Sequence, residues 1–283
     1  MIYSKLKQGD CKELLKMLPD NSIDLILTDP PYNIAQYSTG NIKFNWRSDI
    51  NNDIAQWDEI PLEPKFFVDD FKRILKPTGN AFVFTSYNMI GEWHKAFDSE
   101  FDTFQFMAWH KTNPVPNFMK TSFLNSVELI VCFWNKGHTW NFANQRDMHN
   151  FIETSICGGS ERLKEPKHPT QKPLKVLEHI IKIASTAGDV VLDPFMGVGS
   201  TGVAAKKMNR SFVGFELDTS FFEAAQKRIK CCQIQREKNI SENLKQGVPK
   251  AVYGEGQTSK IAENYPISAR AEFSRQLPEE AKF

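Results

Sequence analysis

The chain predicts an α/β fold, a doubly wound and mostly parallel sheet, and three observations carry that prediction. Apolar runs of strand length alternate with helical stripes along 2–232. The run Ile23-Asp24-Leu25-Ile26-Leu27-Thr28 has apolar residues on both faces, as strands covered on both sides do. A glycine-rich turn at 193–202 joins a strand to a helix, where open α/β sheets bind ligands.

The elements follow in order. Residues 2–8 alternate weakly and suit an edge strand, ended by Gly9-Asp10. Leu14, Leu15 and Leu18 give 11–18 one helical face. After the strand at 23–28, residues 34–60 show no period and read as a long loop, of the kind that is usually functional. Phe67, Phe71, Ile74 and Leu75 stripe a helix over 62–75, which Lys76-Pro77-Thr78-Gly79 stops. Strands at 81–85, 104–110 and 127–134 enclose a helix at 89–98. The segment 135–167 is polar and irregular. Pro173 is placed to open a helix whose stripe is Leu174, Leu177, Ile180, Ile181 and Ala184, with Gly188 after its end. A strand at 190–192, a helix at 200–208, a strand at 211–215 and a helix at 219–232 complete the pattern. Beyond 238 the chain is polar and aperiodic, so the expected division is a domain of 1–237 and an extension of 238–283.

Composition bounds the function. With 283 residues, 41% of them hydrophobic, the chain can build one large domain. Its formal charge of +1 excludes a strongly basic, histone-like binder but permits a local basic groove. No run approaches the roughly 20 apolar residues of a membrane span, and Met1-Ile2-Tyr3-Ser4-Lys5 leads straight into polar sequence, so a cytoplasmic protein is expected. The five cysteines form no CxxC pair and read as reduced thiols, with no metal site.

Two stretches carry chemistry. In Asp193-Pro194-Phe195-Met196-Gly197-Val198-Gly199-Ser200-Thr201-Gly202, the glycines match G-x-G-x-x-G, and Glu216 ends the next strand nineteen residues after Gly197. Small residues let a nucleoside approach the backbone, and an acid so placed accepts from ribose hydroxyls. Three readings stand: a tight turn without a ligand, a nicotinamide dinucleotide site and an S-adenosylmethionine site. Asp193 favours the last, because a carboxylate there repels a pyrophosphate and suits the ammonium of a methionine moiety. The second stretch is Leu27-Thr28-Asp29-Pro30-Pro31-Tyr32-Asn33-Ile34. Prolines at a strand exit can simply end a sheet, but that does not require an acid before them and an aromatic ring after them.

Taken together, Asp29-Pro30-Pro31-Tyr32 and Asp193 to Thr201 resemble the beta-class amino-methyltransferases that modify DNA at adenine N6 or cytosine N4. His168-Pro169-Thr170-Gln171-Lys172-Pro173 resembles the family's cofactor motif, and Trp109 to Pro114 followed by Glu128-Leu129-Ile130 resembles the stretch between its last two strands. The resemblance covers roughly 1–235. It implies a Rossmann-like class I methyltransferase sheet of seven strands, the last antiparallel, in a circularly permuted motif order.

The resemblance also implies roles. Asp29, Pro30, Pro31 and Tyr32 would be catalytic. Asp10, Asp29, His168, Thr170, Lys172, Asp193, Phe195, Gly197, Gly199, Ser200, Thr201 and Glu216 would hold the cofactor, S-adenosylmethionine. An aromatic amine is a poor nucleophile, so the site must orient it. Asp29 accepts from one N–H and a proline carbonyl, that of Pro30, from the other. A flipped base stacks on Tyr32.

DNA is the expected partner. Residues 135–167, where Lys136, Arg146, Arg162, Lys164 and Lys167 interleave with Trp140, Phe142 and Phe151, are the expected recognition insertion, with help from 34–60. That segment is short, which together with the habit of relatives to pair makes a homodimer an expectation. A cognate restriction endonuclease is expected where the enzyme serves restriction–modification. Adenine N6 leads, because Asp rather than Ser precedes the prolines. Cytosine N4 is its neighbour, and RNA or a protein glutamine is a more distant substrate. A nicotinamide oxidoreductase and a non-catalytic nucleic-acid binder are the competitors from other classes.

Overall fold

A computed structural model describes residues 2–32, 62–117, 120 and 122–245, with side chains as far as 232. The expected loop at 34–60 lies outside the described residues, as does 246–283. The chain divides into a unit of Met1–Gln233 and a second of Ile234–Phe283.

Among the described residues, the first unit holds one sheet of eight strands: β1 (Ser4–Gln8), β2 (Ile23–Thr28), β3 (Leu75–Thr85), β4 (Thr103–Lys111), β5 (Val127–Trp134), β6 (Phe151–Thr154), β7 (Val190–Asp193) and β8 (Ser211–Glu216). Their order is β1-β8-β7-β2-β3-β5-β4-β6. β5 alone runs against its neighbours β3 and β4. The other pairings are parallel. The helices are α1 (Cys11–Lys16), α2 (Val68–Ile74), α3 (Ile90–Phe97), α4 (Leu174–Ala184), α5 (Ser200–Lys207) and α6 (Thr219–Lys245).

Every residue of β2 is buried, as its two-faced apolar pattern requires. Leu25 and Leu27 face one core cluster, with α4, α5 and α6, and Ile23 and Ile26 face the other, with α1, α2 and α3. The sheet is therefore covered on both sides.

Four details depart from the sequence expectation. An eighth strand, β6, joins the edge beside β4 within 151–154 of the segment read as irregular. Only Thr154 in it is buried, so it carries no apolar period to read. Lys76 to Gly79 fall inside β3, where the ladder with β2 skips from Ile23–Leu75 to Leu25–Asn80. Those four residues form the irregularity that lets α2 pass directly into β3. Pro173 stands one position before α4 as its N-cap rather than within its first turn. Helix α6 continues to Lys245, past the expected start of the polar extension.

Candidate active site

β7 leads to β8 on one side and β2 leads to β3 on the other, so the strand order reverses between β7 and β2. Ligands of open α/β sheets bind outside the carboxyl ends of the strands at such a point. A cavity of about 270 Å³ opens there. Its walls include Asp10, the segment Thr28 to Tyr32, His168, Thr170 to Lys172, the turn from Asp193 to Val198, Ser200, Thr201 and Glu216. Fourteen of the fifteen candidate residues from the sequence therefore meet in one cavity. Gly199 is the exception.

The glycine turn is built by conformation and contact. Gly197 and Gly199 have φ of 50° and 79°, the left-handed region that side chains disfavour. A Cβ on Gly197 would lie 2.9 Å from His168 Nε2. On Gly199 it would lie 2.9 Å from the Ala225 Cβ, so this glycine seats α6 rather than lining the cavity. The Gly197 amide donates to Glu216 Oε2 at 2.8 Å, and the Asp218 amide to Oε1 at 2.9 Å. Glu216 thus holds the turn while facing the cavity, and burial raises its pKa against the pull of those amides.

Asp193, at the end of β7, is buried and accepts from the Thr28 hydroxyl at 2.7 Å and the Phe195 amide at 3.1 Å. Burial pushes its pKa up to about 7, opposed by hydrogen bonds that include one from Thr201. Burial, with Lys172, Arg162 and Arg228 nearby, lowers His168 to about 4, so its imidazole is neutral near pH 7. The imidazole packs against Phe221, ring centres 4.8 Å apart. Asp10 caps α1 through the Lys12 amide at 2.9 Å and still borders the cavity.

At the end of β2, the chemistry concentrates on Asp29. Its Oδ2 lies 2.5 Å from Lys172 Nζ, and the Tyr32 hydroxyl donates to its Oδ1 at 2.6 Å. Lys172 is 6% exposed and also lies 3.3 Å from Glu128 Oε2. The Tyr32 hydroxyl reaches the same Oε2 at 3.2 Å, while Lys111 Nζ lies 2.7 Å from Glu128 Oε1. The result is an alternating row of charge: Asp29, Lys172, Glu128, Lys111. Burial lowers the pKa of Lys172, but the two carboxylates more than reverse this, so the ammonium persists. Burial raises Asp29, and although Lys172 pulls it down, Glu128 pushes it up, and the net shift is upward. Burial also acts to raise Glu128, and Lys172 and Lys111 overcome it and hold the acid below its usual range.

The loop that presents Lys172 is pinned at both ends. Gln171 accepts from the Leu163 amide at 2.9 Å and donates to the Glu161 carbonyl at 2.8 Å. Glu161 accepts from the Leu174 amide at 2.6 Å, at the start of α4. Arg162 donates to the Pro169 carbonyl at 3.2 Å. The Tyr32 carbonyl accepts from Asn88 at 3.1 Å, which anchors the chain just past the two prolines.

Reading the sequence left Glu128 and Lys111 without a role, although both stood in quoted motifs. Their signal was a Lys and a Glu on strands that otherwise read apolar. Two expected recognition residues are occupied within the fold. Trp140 stacks on Phe82 at 6.4 Å and packs on Trp134 at 5.1 Å, and Arg162 holds the cavity loop. Lys136, Arg146, Lys164, Lys167, Phe142 and Phe151 are exposed.

With this geometry in view, comparison with known proteins is decisive. Residues 23–227 match the DNA methylase family of N6/N4 methyltransferases. The chain belongs to that family. It is 34% identical over 247 residues to the type II methyltransferase M.HinfI of Haemophilus influenzae, covering 79% of this chain and 67% of that protein. It is 33% identical over 236 residues to M2.DpnII of Streptococcus pneumoniae, covering 77% and 86%. Among solved structures, an M1.HpyAVI–SAM complex superposes with a TM-score of 0.57 at 27% identity, over 80% of this chain and 99% of that one. The cytosine-N4-specific PvuII DNA methyltransferase superposes with a TM-score of 0.55 at 20% identity, over 87% and 94%, and so supports the fold alone. Membership of this family removes the dehydrogenase reading of the glycine turn. Among the described residues, no helix is long and apolar enough to cross a membrane, and no group of three or more His, Cys, Asp or Glu could hold a metal ion.

Proposed function

We propose that this DNA methyltransferase moves the methyl group of S-adenosylmethionine to the exocyclic N6 of an adenine flipped out of its duplex. The observation that carries the reading is Asp29, a carboxylate on the wall of the cavity that the Gly197 turn also lines. Acid residues (Asp10, Asp193 and Glu216) and a neutral His168 make the cavity suited to a cationic nucleoside. Asp193 suits its ammonium, Glu216 its ribose hydroxyls and Asp10 its adenine. Phe195, Gly197, Ser200 and Thr201 form the turn around it, with Thr170 beside His168. When bound, S-adenosylmethionine supplies an electrophilic methyl group on a sulfonium.

The residues of the chain orient the amine. Each oxygen of Asp29 carries a second lone pair beyond the one taken by Lys172 or Tyr32, so the acid can accept an N–H and keep both partners. The Pro30 carbonyl accepts from the second N–H, since proline fixes φ and removes a competing donor. Two acceptors turn the lone pair of the nitrogen toward the methyl group. Tyr32 offers a ring face to the flipped base, and its stacking is worth about 1–3 kcal/mol. Asp29, raised above the ordinary aspartate range, then takes the proton that the methylated amine sheds. Asp before Pro-Pro, where Ser would suit cytosine-N4 chemistry, favours adenine.

The exposed basic and aromatic side chains within 135–167 suit DNA positioning, and pairing of two chains would enlarge that surface. Methyl-labelled S-adenosylmethionine with mixed-sequence DNA, digested to nucleosides and chromatographed, tests the assignment. Label in N6-methyladenosine is expected. Label in N4-methylcytidine would move the acceptor to cytosine, and no label in any nucleoside would overturn the reading.

A further inference from the structure

Glu128 sits on β5, a strand antiparallel to the rest of the sheet, and has no place in the catalytic stretch of the sequence. Its carboxylate nevertheless contacts both groups that hold Asp29, and Lys111 besides. Oε2 is 3.3 Å from Lys172 Nζ and 3.2 Å from the Tyr32 hydroxyl, and Oε1 is 2.7 Å from Lys111 Nζ. Lys172 and the Tyr32 hydroxyl are also the donors on the two oxygens of Asp29. The two acids share both partners, so the position of each partner depends on both acids.

We propose that Glu128 is a positioning residue of the methyl-transfer site: it holds the Lys172 ammonium and the Tyr32 hydroxyl so that Asp29 and the Tyr32 ring face the amine in one fixed orientation. The proposal rests on the reading of Asp29 as the amine acceptor. Its physical basis is geometric. A lysine side chain has four rotatable carbons and settles between two carboxylates only if both are present. Lys172 Nζ also lies 5.4 Å and 5.1 Å from the ring centres of Tyr32 and Phe84. Without Glu128 the ammonium would follow Asp29 alone, and the tyrosine hydroxyl would lose one of its two tethers. Lys111 balances the charge of Glu128, so Lys172 remains available to Asp29. Electrostatics point the same way. Among the described residues, the charged or titratable groups facing Asp29 are Lys172, Tyr32 and Glu128, with Asp193 on the adjoining strand and Lys111 behind Glu128. Of these, Glu128 is the acid that raises Asp29.

The test is Glu128→Gln in the full chain, read by single-turnover methyl transfer against pH and by S-adenosylmethionine binding. A loss of order 10- to 100-fold in the transfer rate is expected, as for misplacement of a reacting group by about 1 Å. Cofactor affinity should stay within about threefold, since the cofactor-facing acids are untouched. The acid limb of the rate profile should shift to lower pH, because burial still raises Asp29 but the added push of the Glu128 charge is gone. A purely structural role would not move that limb. Wild-type rate with an unmoved limb would overturn the proposal. The double variant K111Q/E128Q removes an opposed pair of charges and serves if the single variant does not fold. Failure of both to fold beside a stable Lys111→Gln would make Glu128 structural and also overturn it. Asp29→Ala separates the two claims: full activity there sinks the reading of Asp29, whereas loss there with an unaffected Glu128→Gln sinks only the role of Glu128.

Discussion

Lys172 Nζ rests 2.5 Å from Asp29 Oδ2 across 143 residues of sequence. The pair is a structural commitment as well as a chemical one. Buried ions are costly, and removing one partner of a buried pair typically costs about 3–5 kcal/mol. Asp29 is partly exposed, so the lower end applies. Lys172→Met should lower unfolding stability by about 3 kcal/mol at pH 7, measured by urea titration. The deficit should shrink as pH falls, because the deserted Asp29, already raised by burial and by Glu128, takes up a proton more readily than an ordinary aspartate.

Asp193 titrates where enzymes work. With its pKa at about 7, the ligand-free protein carries a partly protonated acid at neutral pH. A cationic cofactor beside it favours the ionised form, so binding releases a proton and tightens as pH rises. From pH 6 to pH 8 the affinity for S-adenosylmethionine should rise about tenfold, by titration calorimetry in two buffers. His168 stays neutral across this range and adds nothing to the slope. Asp193→Asn should flatten the profile. For folding the sign is opposite. A raised acid binds more protons when folded, so its contribution to stability falls as pH climbs from the ordinary aspartate range toward 7.

Gly197 separates strain from contact. Gly197→Ala places a left-handed φ on a residue with a Cβ and pushes that Cβ to 2.9 Å from His168 Nε2. Gly188→Ala is the control, with φ of 99° and no heavy atom within 4 Å of the new Cβ. Both should lose about 1–2 kcal/mol of stability from backbone strain. Only Gly197→Ala should lose cofactor affinity as well. Equal affinities in the two variants would contradict the placement of His168 against the turn.

Tyr32 combines a ring and a tether, and two substitutions divide them. Tyr32→Phe keeps the stacking face and deletes the hydroxyl that reaches Asp29 and Glu128. It should bind methylatable DNA like the wild type and transfer methyl groups more slowly. Tyr32→Ala should additionally weaken DNA binding, by about 1–3 kcal/mol, in fluorescence anisotropy. Equal DNA binding by Ala and wild type would exclude the ring as a platform.

What the sequence determined by itself is local. The alternation of strands and helices could be read because periods of two and 3.6 residues record which faces are buried. The glycine turn and the Asp-Pro-Pro-Tyr stretch were legible because each packs its chemistry into a few consecutive positions. An edge strand such as β6, with one buried residue, leaves no period behind. The roles of Lys111 and Glu128 were equally hidden, because a charge on a strand does not name its partner. Only the sheet order decided that: β5 lies between β3 and β4, which puts Glu128 beside Lys111 and within reach of Lys172 ahead of α4. Lone charges there would be expensive to bury, and the tertiary fold resolves the cost by setting four of them in alternating sign, with the hydroxyl of Tyr32 on the two acids.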